Sequence, residues 1–280
     1  MTLSPLQKAL KHPFKAVAFD VDGTLTHFSR FVIPRELAQT LVQIPEHIPR
    51  AICTGRDIDF IHNQLEHICS HAKDPLKERT RWTIFAENGA EAHHWNNRKK
   101  AYETLFEVPW PSKYDKAEME AVIQKHLGHR MVVSSRDYTL VMRNPSWTYL
   151  FPKLTRLLSK HNHGRLDTLI RREGWDKDFI IQDSGIGNVM LSRKSGKGHA
   201  MERWAKHLKT PLKDILVVGD QPKKGGNDED FLSGKYGTPF TVGELTHKAL
   251  PFPVHDQTGH RLKGPEGTQA LLEQVRWKEN

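Results

Sequence analysis

The chain has 280 residues, 37% of them hydrophobic and 27% charged, which is typical of a globular protein with one large or two modest domains. No apolar stretch approaches the ~20 residues of a membrane-spanning helix. Two cysteines, Cys53 and Cys69, are too few for a disulfide framework or a cysteine-rich zinc site. The N-terminal segment up to Phe14 lacks the apolar core of a signal peptide. We therefore expect a cytoplasmic protein with no membrane partner.

The formal net charge is +9, which fits a nucleic acid, a membrane surface or an anionic small molecule as the partner. The basic residues are scattered, and their closest groupings are pairs such as Lys99–Lys100 and Arg171–Arg172. Basic and aromatic residues do not alternate as they do in nucleic-acid-binding modules. The charge pattern therefore favours a small anionic partner over nucleic acid, with most of the basic residues forming ordinary solvated surface.

Strands and helices alternate along the first 97 residues. Apolar runs predict the strands, and apolar residues at helical spacing predict the helices. The predicted elements are a strand at 16–19, a helix at 34–44, a strand at 48–53, a helix at 56–69 and a strand at 82–86. This alternation is typical of a doubly wound α/β core, in which helices cover both faces of a parallel sheet.

The first strand ends in a motif with two carboxylates, Asp20-Val21-Asp22-Gly23-Thr24. Charged groups at the carboxyl end of a central strand are costly as core residues and well placed to form a site. One carboxylate can attack an electrophile while the other transfers a proton, and the two together can hold a hard cation. A solvated Asp-Gly turn is the alternative that the motif alone leaves open.

Polar residues also follow the second strand, in the segment Thr54-Gly55-Arg56. The Thr54 hydroxyl and the free backbone N–H groups of a strand-to-helix turn can bind the oxygens of a phosphate group. We therefore expect Thr54 to contact a phosphoryl group, with Gly55 and Arg56 as substrate-binding residues. An ordinary helix cap by Thr54 is equally compatible with this segment on its own.

The pattern changes between residues 98 and 187. The segment Val108–Pro111 predicts a connector, since its prolines block regular strand pairing. Beyond it we predict a helix at 119–127, strands at 131–133 and 138–142, a helix at 147–161, and strands at 165–170 and 179–181. These elements indicate a small α+β module inserted into the core. Residues 1–97 and 188–280 would then form the core, and residues 98–187 the inserted module.

The first pattern returns after residue 188. The predicted elements are a strand at 189–191, a helix at 198–208, a strand at 215–218, a short strand at 240–242 and a last helix from Pro265. Lys197 opens one of these helices and can neutralise a phosphoryl oxygen, although a surface lysine is the simpler explanation for that residue alone. Asp220 ends a strand, and Asn227-Asp228 follows a glycine pair, which places further oxygen ligands near one point. A helix N-cap is the alternative for Asn227-Asp228.

These polar groups resemble, in type and order, the four motifs of the haloacid dehalogenase superfamily: DxDGT, then Ser or Thr, then Lys, then GDxxND. The resemblance covers the core from about Ala16 to Thr241. The insertion between the second and third motifs resembles the large α/β cap of subclass IIB, which includes several sugar-phosphate phosphatases and eukaryotic-type phosphomannomutase. The resemblance implies a Mg²⁺-dependent phosphatase that hydrolyses a sugar phosphate or a similar small phosphorylated metabolite.

The same resemblance implies roles for the motif residues. Asp20 would be the nucleophile that forms an aspartyl-phosphate, and Asp22 would protonate the leaving oxygen and then activate water. Thr54 and Lys197 would hold the transferring phosphoryl group. This agrees with electrostatics, because a carboxylate and a phosphate dianion repel each other unless positive charge offsets them.

The resemblance also implies a metal site. Asp220 would bind Mg²⁺ together with Asp20 and the backbone carbonyl of Asp22. Asn227 and Asp228 would complete or support the shell of oxygen ligands.

One motif departs from the usual spacing, because the six residues Gln221–Gly226 separate Asp220 from Asn227. This long form is similar to that of phosphomannomutase, and so is the segment Phe85–Gly89. The predicted cap nevertheless lacks the arginine-rich stretch by which the mutases hold a second phosphate, and Met142–Ser146 matches it poorly. We therefore favour a phosphatase over a phosphosugar mutase. A basic nucleic-acid-binding protein on a degenerate fold is the non-enzymatic alternative.

The predicted cap carries excess positive charge, with 16 Lys and Arg against 11 Asp and Glu between Arg98 and Asp183. A basic lid over a phosphate site attracts and encloses an anionic substrate. We expect Arg136, Arg143 and Lys153 to contribute to substrate binding from the cap, with solvated surface as the alternative for each. The sequence carries no signal for an oligomeric state.

Overall fold

The computed structural model describes residues 3–27, 32–128 and 130–279. The helices are α1 (Pro5–Lys11), α2 (Arg35–Val42), α3 (Ile58–Cys69), α4 (Pro75–Arg79), α5 (Lys116–Leu127), α6 (Pro152–Arg172), α7 (Lys197–Leu208) and α8 (Gly264–Gln274). The strands are β1 (Pro13–Phe14), β2 (Ala16–Phe19), β3 (Arg50–Cys53), β4 (Trp82–Ala86), β5 (Glu91–Asn96), β6 (Ala101–Glu107), β7 (Val132–Ser135), β8 (Thr139–Arg143), β9 (Phe179–Asp183), β10 (Gly187–Ser192), β11 (Ile215–Gly219), β12 (Thr238–Thr241), β13 (Phe252–Pro253) and β14 (Arg276–Trp277).

The core is a sheet of eight strands in the order β13-β12-β11-β2-β3-β4-β5-β6. The strands from β13 to β4 run parallel, and the antiparallel hairpin β5–β6 extends one edge. Helices α2, α3 and α8 pack on one face through Leu37, Ile61 and Leu271. Helix α7 packs on the other through Met201 and Trp204. The predicted doubly wound α/β core is therefore confirmed, and its fully buried central strands explain the continuous apolar runs.

A second sheet of four antiparallel strands, in the order β7-β8-β10-β9, forms the inserted module. Helices α5 and α6 cover one of its faces, where Met119 and Leu166 pack against strand residues such as Leu140 and Met190. Because side chains alternate along a strand, the neighbours of these residues lie on the opposite face. We call that opposite face, which carries Ser134, Val141, Gln182 and Val189, the open face.

The pairing of strands into sheets shows that both boundaries of the inserted module differ from the predicted ones. Strand β6 lies after residue 98 but pairs with β5 in the core sheet, and β10 lies after residue 187 but pairs with β8 and β9 in the module. The limits of the core at 97 and 188 are therefore wrong. The hairpin is half exposed and polar, so it lacks the apolar run that marks a core strand, while β10 is as apolar as the core strands. We propose that the module extends from about residue 108 to about residue 192.

One predicted strand is part of a helix. Residues 165–170 lie within α6, which continues without interruption to Arg172. Leu166, Leu169 and Ile170 are all buried against the module's sheet. Their spacing of three and four residues is that of a helix face, and it outweighs the alternation that favoured a strand. The strand predicted at 189–191 does exist, but in the module rather than in the core.

Within the described part of the chain, no helix has both the length and the apolar composition needed to cross a bilayer.

Candidate active site

The motif residues meet at the carboxyl edge of the core sheet. Asp20 follows β2, Thr54 follows β3 and Asp220 follows β11, and these three strands are parallel neighbours. The Asp20 backbone N–H donates to the carbonyl of Val218 at 2.8 Å, which continues the sheet ladder into the motif. Parallel strands bring their carboxyl ends to one edge, so residues far apart in the sequence become neighbours.

Three buried carboxylates form the centre of the site. One carboxylate oxygen each from Asp20, Asp220 and Asp228 lies within 4.8 Å of the others. The three residues are 3%, 4% and 0% exposed, so water does little to screen the repulsion between their carboxylates. Gly219 permits this approach, because a Cβ there would lie 2.8 Å from Oδ2 of Asp228. We call Asp20, Asp220 and Asp228 the carboxylate cluster.

The ammonium group of Lys197 joins two members of this cluster. Lys197 is the first residue of α7 and is 1% exposed. Its Nζ donates to Oδ1 of Asp20 and, at 2.6 Å, to Oδ1 of Asp228. Oδ2 of Asp228 in turn accepts the backbone N–H groups of Asp220 at 3.0 Å and Gln221 at 3.2 Å. Both oxygens of Asp228 are therefore engaged, and this residue holds the lysine in place.

The carboxylate cluster and Lys197 together contain more acidic than basic groups. Burial raises the pKa of Asp20 to about 7, against the charge of Lys197 and with the help of the other carboxylates. Burial also raises the pKa of Asp220 well above its usual range, and Asp20 and Asp228 add to this rise. Burial disfavours the Lys197 ammonium, but the carboxylates of Asp20 and Asp228 outweigh this cost and raise its pKa. One ammonium thus faces three carboxylates, which is an arrangement that attracts a further cation.

These shifts predict that the protein in EDTA loses stability as the pH rises from about 4 to about 7. In this range Asp20 and Asp220 keep protons in the folded state that the unfolded chain, with a pKa of 3.8, has released. The free energy of unfolding therefore falls by up to about 1.4 kcal/mol per pH unit for each retained proton. Urea unfolding across this range measures the slope. Asp20→Asn should flatten it, and an unchanged slope in that variant would contradict the raised pKa.

Two buried oxygen atoms of the carboxylate cluster, Oδ2 of Asp20 and Oδ1 of Asp220, have no partner among the described residues. The same holds for Oδ1 of Asn227, the residue that precedes Asp228. An unpartnered buried acceptor costs free energy, and a hard cation bound by oxygen ligands relieves that cost. The residues present therefore fit a divalent metal such as Mg²⁺. Asn227, which was predicted only to complete or support the shell, is one of the residues with an open oxygen.

The side chain of Asp22 is not part of the carboxylate cluster. Arg56 holds it through two parallel hydrogen bonds, from Nε to Oδ2 and from Nη2 to Oδ1, both 2.8 Å long. The guanidinium also lies over the ring of Phe60, with 4.2 Å between the guanidinium carbon and the ring centroid. Arg56, predicted to bind substrate, therefore binds the carboxylate predicted to be the acid and base.

Thr54 and Gly55 form the turn beside this pair. Thr54 is buried, and its Oγ1 accepts the backbone N–H of Arg56 at 3.2 Å. The next loop presses against the turn, because a Cβ on Gly55 would lie 3.1 Å from Oδ1 of Asn88. Glu87 and Asn88 both adopt positive φ angles, 45° and 57°, and the backbone N–H of Asn88 donates to the Thr54 carbonyl at 2.7 Å. The strained loop thus fixes the position of the turn.

The three basic residues predicted in the cap have different surroundings. Arg136 reaches the core, where its Nη1 donates to the Gly55 carbonyl at 2.6 Å. Arg143 is exposed on the open face at the end of β8. Lys153 is exposed on α6. No hydrogen bond or ion pair within the described ranges joins Arg143 or Lys153 to the cluster, so their roles in substrate binding stay predictions.

The open face is turned toward the core, because both ends of the module's sheet contact core loops. At one end Thr139 Oγ1 donates to Glu87 Oε2 at 2.6 Å, beside the Arg136 contact. At the other end Asp183 forms a β-bridge with Gly226, in the loop that leads to Asn227. The carboxylate cluster lies on core loops between these two contacts. We infer that the open face forms a ceiling above the cluster.

Two residues at this interface were missed by the sequence analysis. Glu87 is 3% exposed and anchors the start of β8, and burial raises its pKa. Gln182 is 7% exposed and lies on the open face, and its Oε1 has no partner within the described residues. A single polar residue in an apolar strand carries no local signal. The strand register, which pairs Gln182 with Val189 and Val189 with Val141, is what places it on the open face.

The fold and the site resemble those of one class of protein. The doubly wound core, the inserted cap and the lysine-bound carboxylate cluster at the strand ends are similar to those of haloacid dehalogenase-type phosphatases. No protein-family model matches the chain. A phosphoglycolate phosphatase of Picrophilus torridus is 26% identical over 219 residues, which cover 78% of this chain and 75% of the relative.

Solved structures support the fold. The IMP-bound IMP-nucleotidase of Plasmodium falciparum, in an N-terminally truncated form, matches with a TM-score of 0.65 and 14% identity over 96% of this chain and 70% of that one. A haloacid dehalogenase-like hydrolase of Bacteroides thetaiotaomicron matches with a TM-score of 0.63 and 14% identity over 93% of this chain and 98% of that one. Both matches span the core and the inserted module.

Proposed function

We propose that the protein is a Mg²⁺-dependent phosphatase that hydrolyses a small phosphorylated metabolite, such as a sugar phosphate, through an aspartyl-phosphate on Asp20. The observation that carries this proposal is the arrangement of Lys197 between Asp20 and Asp228, with Asp220 alongside. A buried ammonium next to a buried carboxylate can hold a phosphoryl oxygen beside the nucleophile that attacks its phosphorus.

The metal would be held by residues with open oxygens. Asp20 Oδ2, Asp220 Oδ1 and Asn227 Oδ1 are the candidates, whereas both oxygens of Asp228 are already engaged. We therefore assign Asp228 to holding Lys197 and the loop, and Asp20 and Asp220 to direct ligation, with the Asp22 carbonyl as a further ligand. Bound Mg²⁺ would offset the charge that the phosphoryl group brings to three carboxylates.

The reaction proceeds in two displacements at phosphorus. In the first, an oxygen of Asp20 bonds to phosphorus while the bond to the leaving oxygen breaks, and Asp22 gives that oxygen its proton. In the second, Asp22 takes a proton from a water molecule, whose oxygen displaces Asp20 from phosphorus. Inorganic phosphate leaves and the Asp20 carboxylate is restored. Lys197 and Thr54 hold the phosphoryl oxygens through both steps.

Asp22 must turn toward the leaving oxygen to act as an acid. Both of its carboxylate oxygens accept hydrogen bonds from the Arg56 guanidinium, which holds the side chain in its present position. Substrate binding would break at least one of these two hydrogen bonds. An anionic substrate is a suitable competitor, because guanidinium binds phosphate as readily as carboxylate.

The ceiling restricts the substrate to a small leaving group. The open face is largely apolar around Val141 and Val189, with the amide of Gln182 buried among them. The unpartnered Gln182 oxygen can accept one hydrogen bond from a hydroxyl or N–H of the leaving group. Arg143 adds positive charge at the edge of the same face. These features favour a compact phosphorylated metabolite over a polymer.

A panel of phosphorylated metabolites tests the proposal. Sugar phosphates, phosphoglycolate and nucleoside 5′-monophosphates are incubated with the protein and Mg²⁺, and released phosphate is measured. We expect release from at least one compound and loss of release in EDTA. Isomerisation of a hexose 1-phosphate in the presence of a bisphosphate activator, without net release of inorganic phosphate, would instead indicate a mutase. No turnover, combined with salt-dependent binding to nucleic acid, would indicate the non-enzymatic alternative.

A further inference from the structure

The lengthened fourth motif pairs with the cap. The backbone N–H of Asp183, at the end of β9, donates to the Gly225 carbonyl at 2.8 Å. The backbone N–H of Asn227 donates to the Asp183 carbonyl at 3.2 Å. Together they form a parallel β-bridge between Asp183 and Gly226. A loop of the usual length, with two residues between Asp220 and Asn227, has no extra chain for such a pairing.

The conformation of this loop depends on its glycines. Gly225 has a φ of 82°, a region that side-chain-bearing residues rarely adopt. Gly226 is crowded, because a Cβ there would lie 2.7 Å from the Gln221 carbonyl oxygen. The loop also closes on itself, since the Gly225 N–H donates to Oε2 of Glu229 at 2.7 Å and the Gly226 N–H to the Lys223 carbonyl at 2.9 Å. Its shape is therefore tightly specified.

The cap end of the pairing is equally fixed. Oδ1 of Asp183 accepts Ser159 Oγ at 2.5 Å and the Gly185 backbone N–H at 2.8 Å. Ser159 is fully buried on α6, and its Oγ also lies 3.0 Å from the Gly187 carbonyl oxygen. The bridge thus runs from the interior of the cap, through Asp183, to the residue that precedes Asp228.

We propose that Gln221–Gly226 is a clasp that couples docking of the cap to the geometry of the metal site. The clasp places Asn227 through the hydrogen bond that its backbone N–H donates to the Asp183 carbonyl of the cap, and the next residue, Asp228, is part of the carboxylate cluster. A docked cap therefore favours the arrangement that binds Mg²⁺. By thermodynamic linkage, Mg²⁺ must favour the docked cap to the same degree. This inference rests on the proposed Mg²⁺ site and assigns the clasp a positioning role.

Gly225→Ala tests the clasp from the core side, with Gly259→Ala as the matched control. Both glycines have nearly equal φ angles, 82° and 85°, and neither Cβ would meet an atom closer than 3.5 Å. The two variants therefore impose similar backbone strain, but only Gly225 carries the carbonyl that Asp183 contacts. Mg²⁺ binding is measured by calorimetry without substrate. We expect about tenfold weaker binding in Gly225→Ala, a typical allosteric coupling, and unchanged binding in Gly259→Ala.

Ser159→Ala tests the same coupling from the cap side. It removes the hydroxyl that holds Asp183 and touches no residue of the carboxylate cluster. Thr168→Ala is the control, because its exposed hydroxyl donates to the Gly164 carbonyl on the same helix. We expect Mg²⁺ binding to weaken about threefold in Ser159→Ala, a modest change in coupling, and not in Thr168→Ala.

Hydrogen exchange gives a readout that is independent of turnover. In the unaltered protein, Mg²⁺ should slow exchange at the amides of Asp183 and Asn227, and this effect should be lost in Gly225→Ala. Equal Mg²⁺ affinities in Gly225→Ala and Gly259→Ala would overturn the coupling and leave the proposed phosphatase intact. Absence of Mg²⁺ binding in the unaltered protein would overturn both.

Discussion

Asp20→Asn should reduce phosphate release by roughly 10⁴-fold or more, as is common when a nucleophile is removed. An amide is too weak a nucleophile to attack phosphorus, so the aspartyl-phosphate cannot form. The variant should stay folded, because the Asp20 carboxylate is buried among like charges and its pKa is raised to about 7. Replacing it by a neutral group of the same shape removes repulsion rather than packing.

The measurement is the initial rate of phosphate release with the best substrate of the panel, at saturating Mg²⁺. Asp59→Asn is the matched control, because it makes the same chemical change at an exposed position in the first turn of α3. Rapid quenching should trap a phosphorylated protein in the unaltered chain and none in Asp20→Asn. If Asp20→Asn keeps more than a few per cent of the rate, Asp20 is not the nucleophile.

Lys197→Met should cause the second large effect, on both activity and stability. The side chain keeps its approximate length, but the ammonium that donates to Asp20 and Asp228 is lost. We expect a fall in kcat of roughly 10³-fold, since a preorganised positive charge next to the phosphoryl group is lost. We also expect a loss of about 3–5 kcal/mol in the free energy of unfolding, because buried carboxylates lose their partner.

The loss of stability should depend on pH. The carboxylates can escape repulsion by taking up protons, so the destabilisation by Lys197→Met should be largest near pH 8 and smaller near pH 5. Urea unfolding in EDTA at these two values measures the difference, with Lys206→Met, an exposed position on the same helix, as the control. Mg²⁺ should restore part of the stability at pH 8. Equal destabilisation at both pH values would show that lost packing, not lost charge, is responsible.

The core and the main site residues could be predicted from the sequence because their signals are local. Strands β2, β3, β4 and β11 are short apolar runs followed by polar residues, and parallel pairing brings such strand ends to one edge. Asp20, Lys197 and Asp220 were therefore predicted near one another, and the structure brings them together. Their catalytic roles stay predictions that the experiments above test.

Predictions were weakest where a segment lacks a strong pattern of its own. The hairpin β5–β6 is polar and half exposed, and α6 contains a stretch whose apolar residues fit both a strand and a helix. In both places the elements against which the segment packs determine its secondary structure. Strand β10 is another example, because its apolar run is compatible with either sheet and its pairing with β8 assigns it to the cap.

The sequence by itself determined the doubly wound core, the order of the four motifs and the chemical character of the site. Each strand and each motif is marked by residues within a few positions of one another. Only the tertiary structure decided that Arg56 binds Asp22, that Gln182 lies on the open face of the cap sheet, and that the lengthened loop pairs with Asp183. These contacts join segments that are more than thirty residues apart. Such contacts are set by strand register and by the docking of the cap on the core, which no local periodicity encodes.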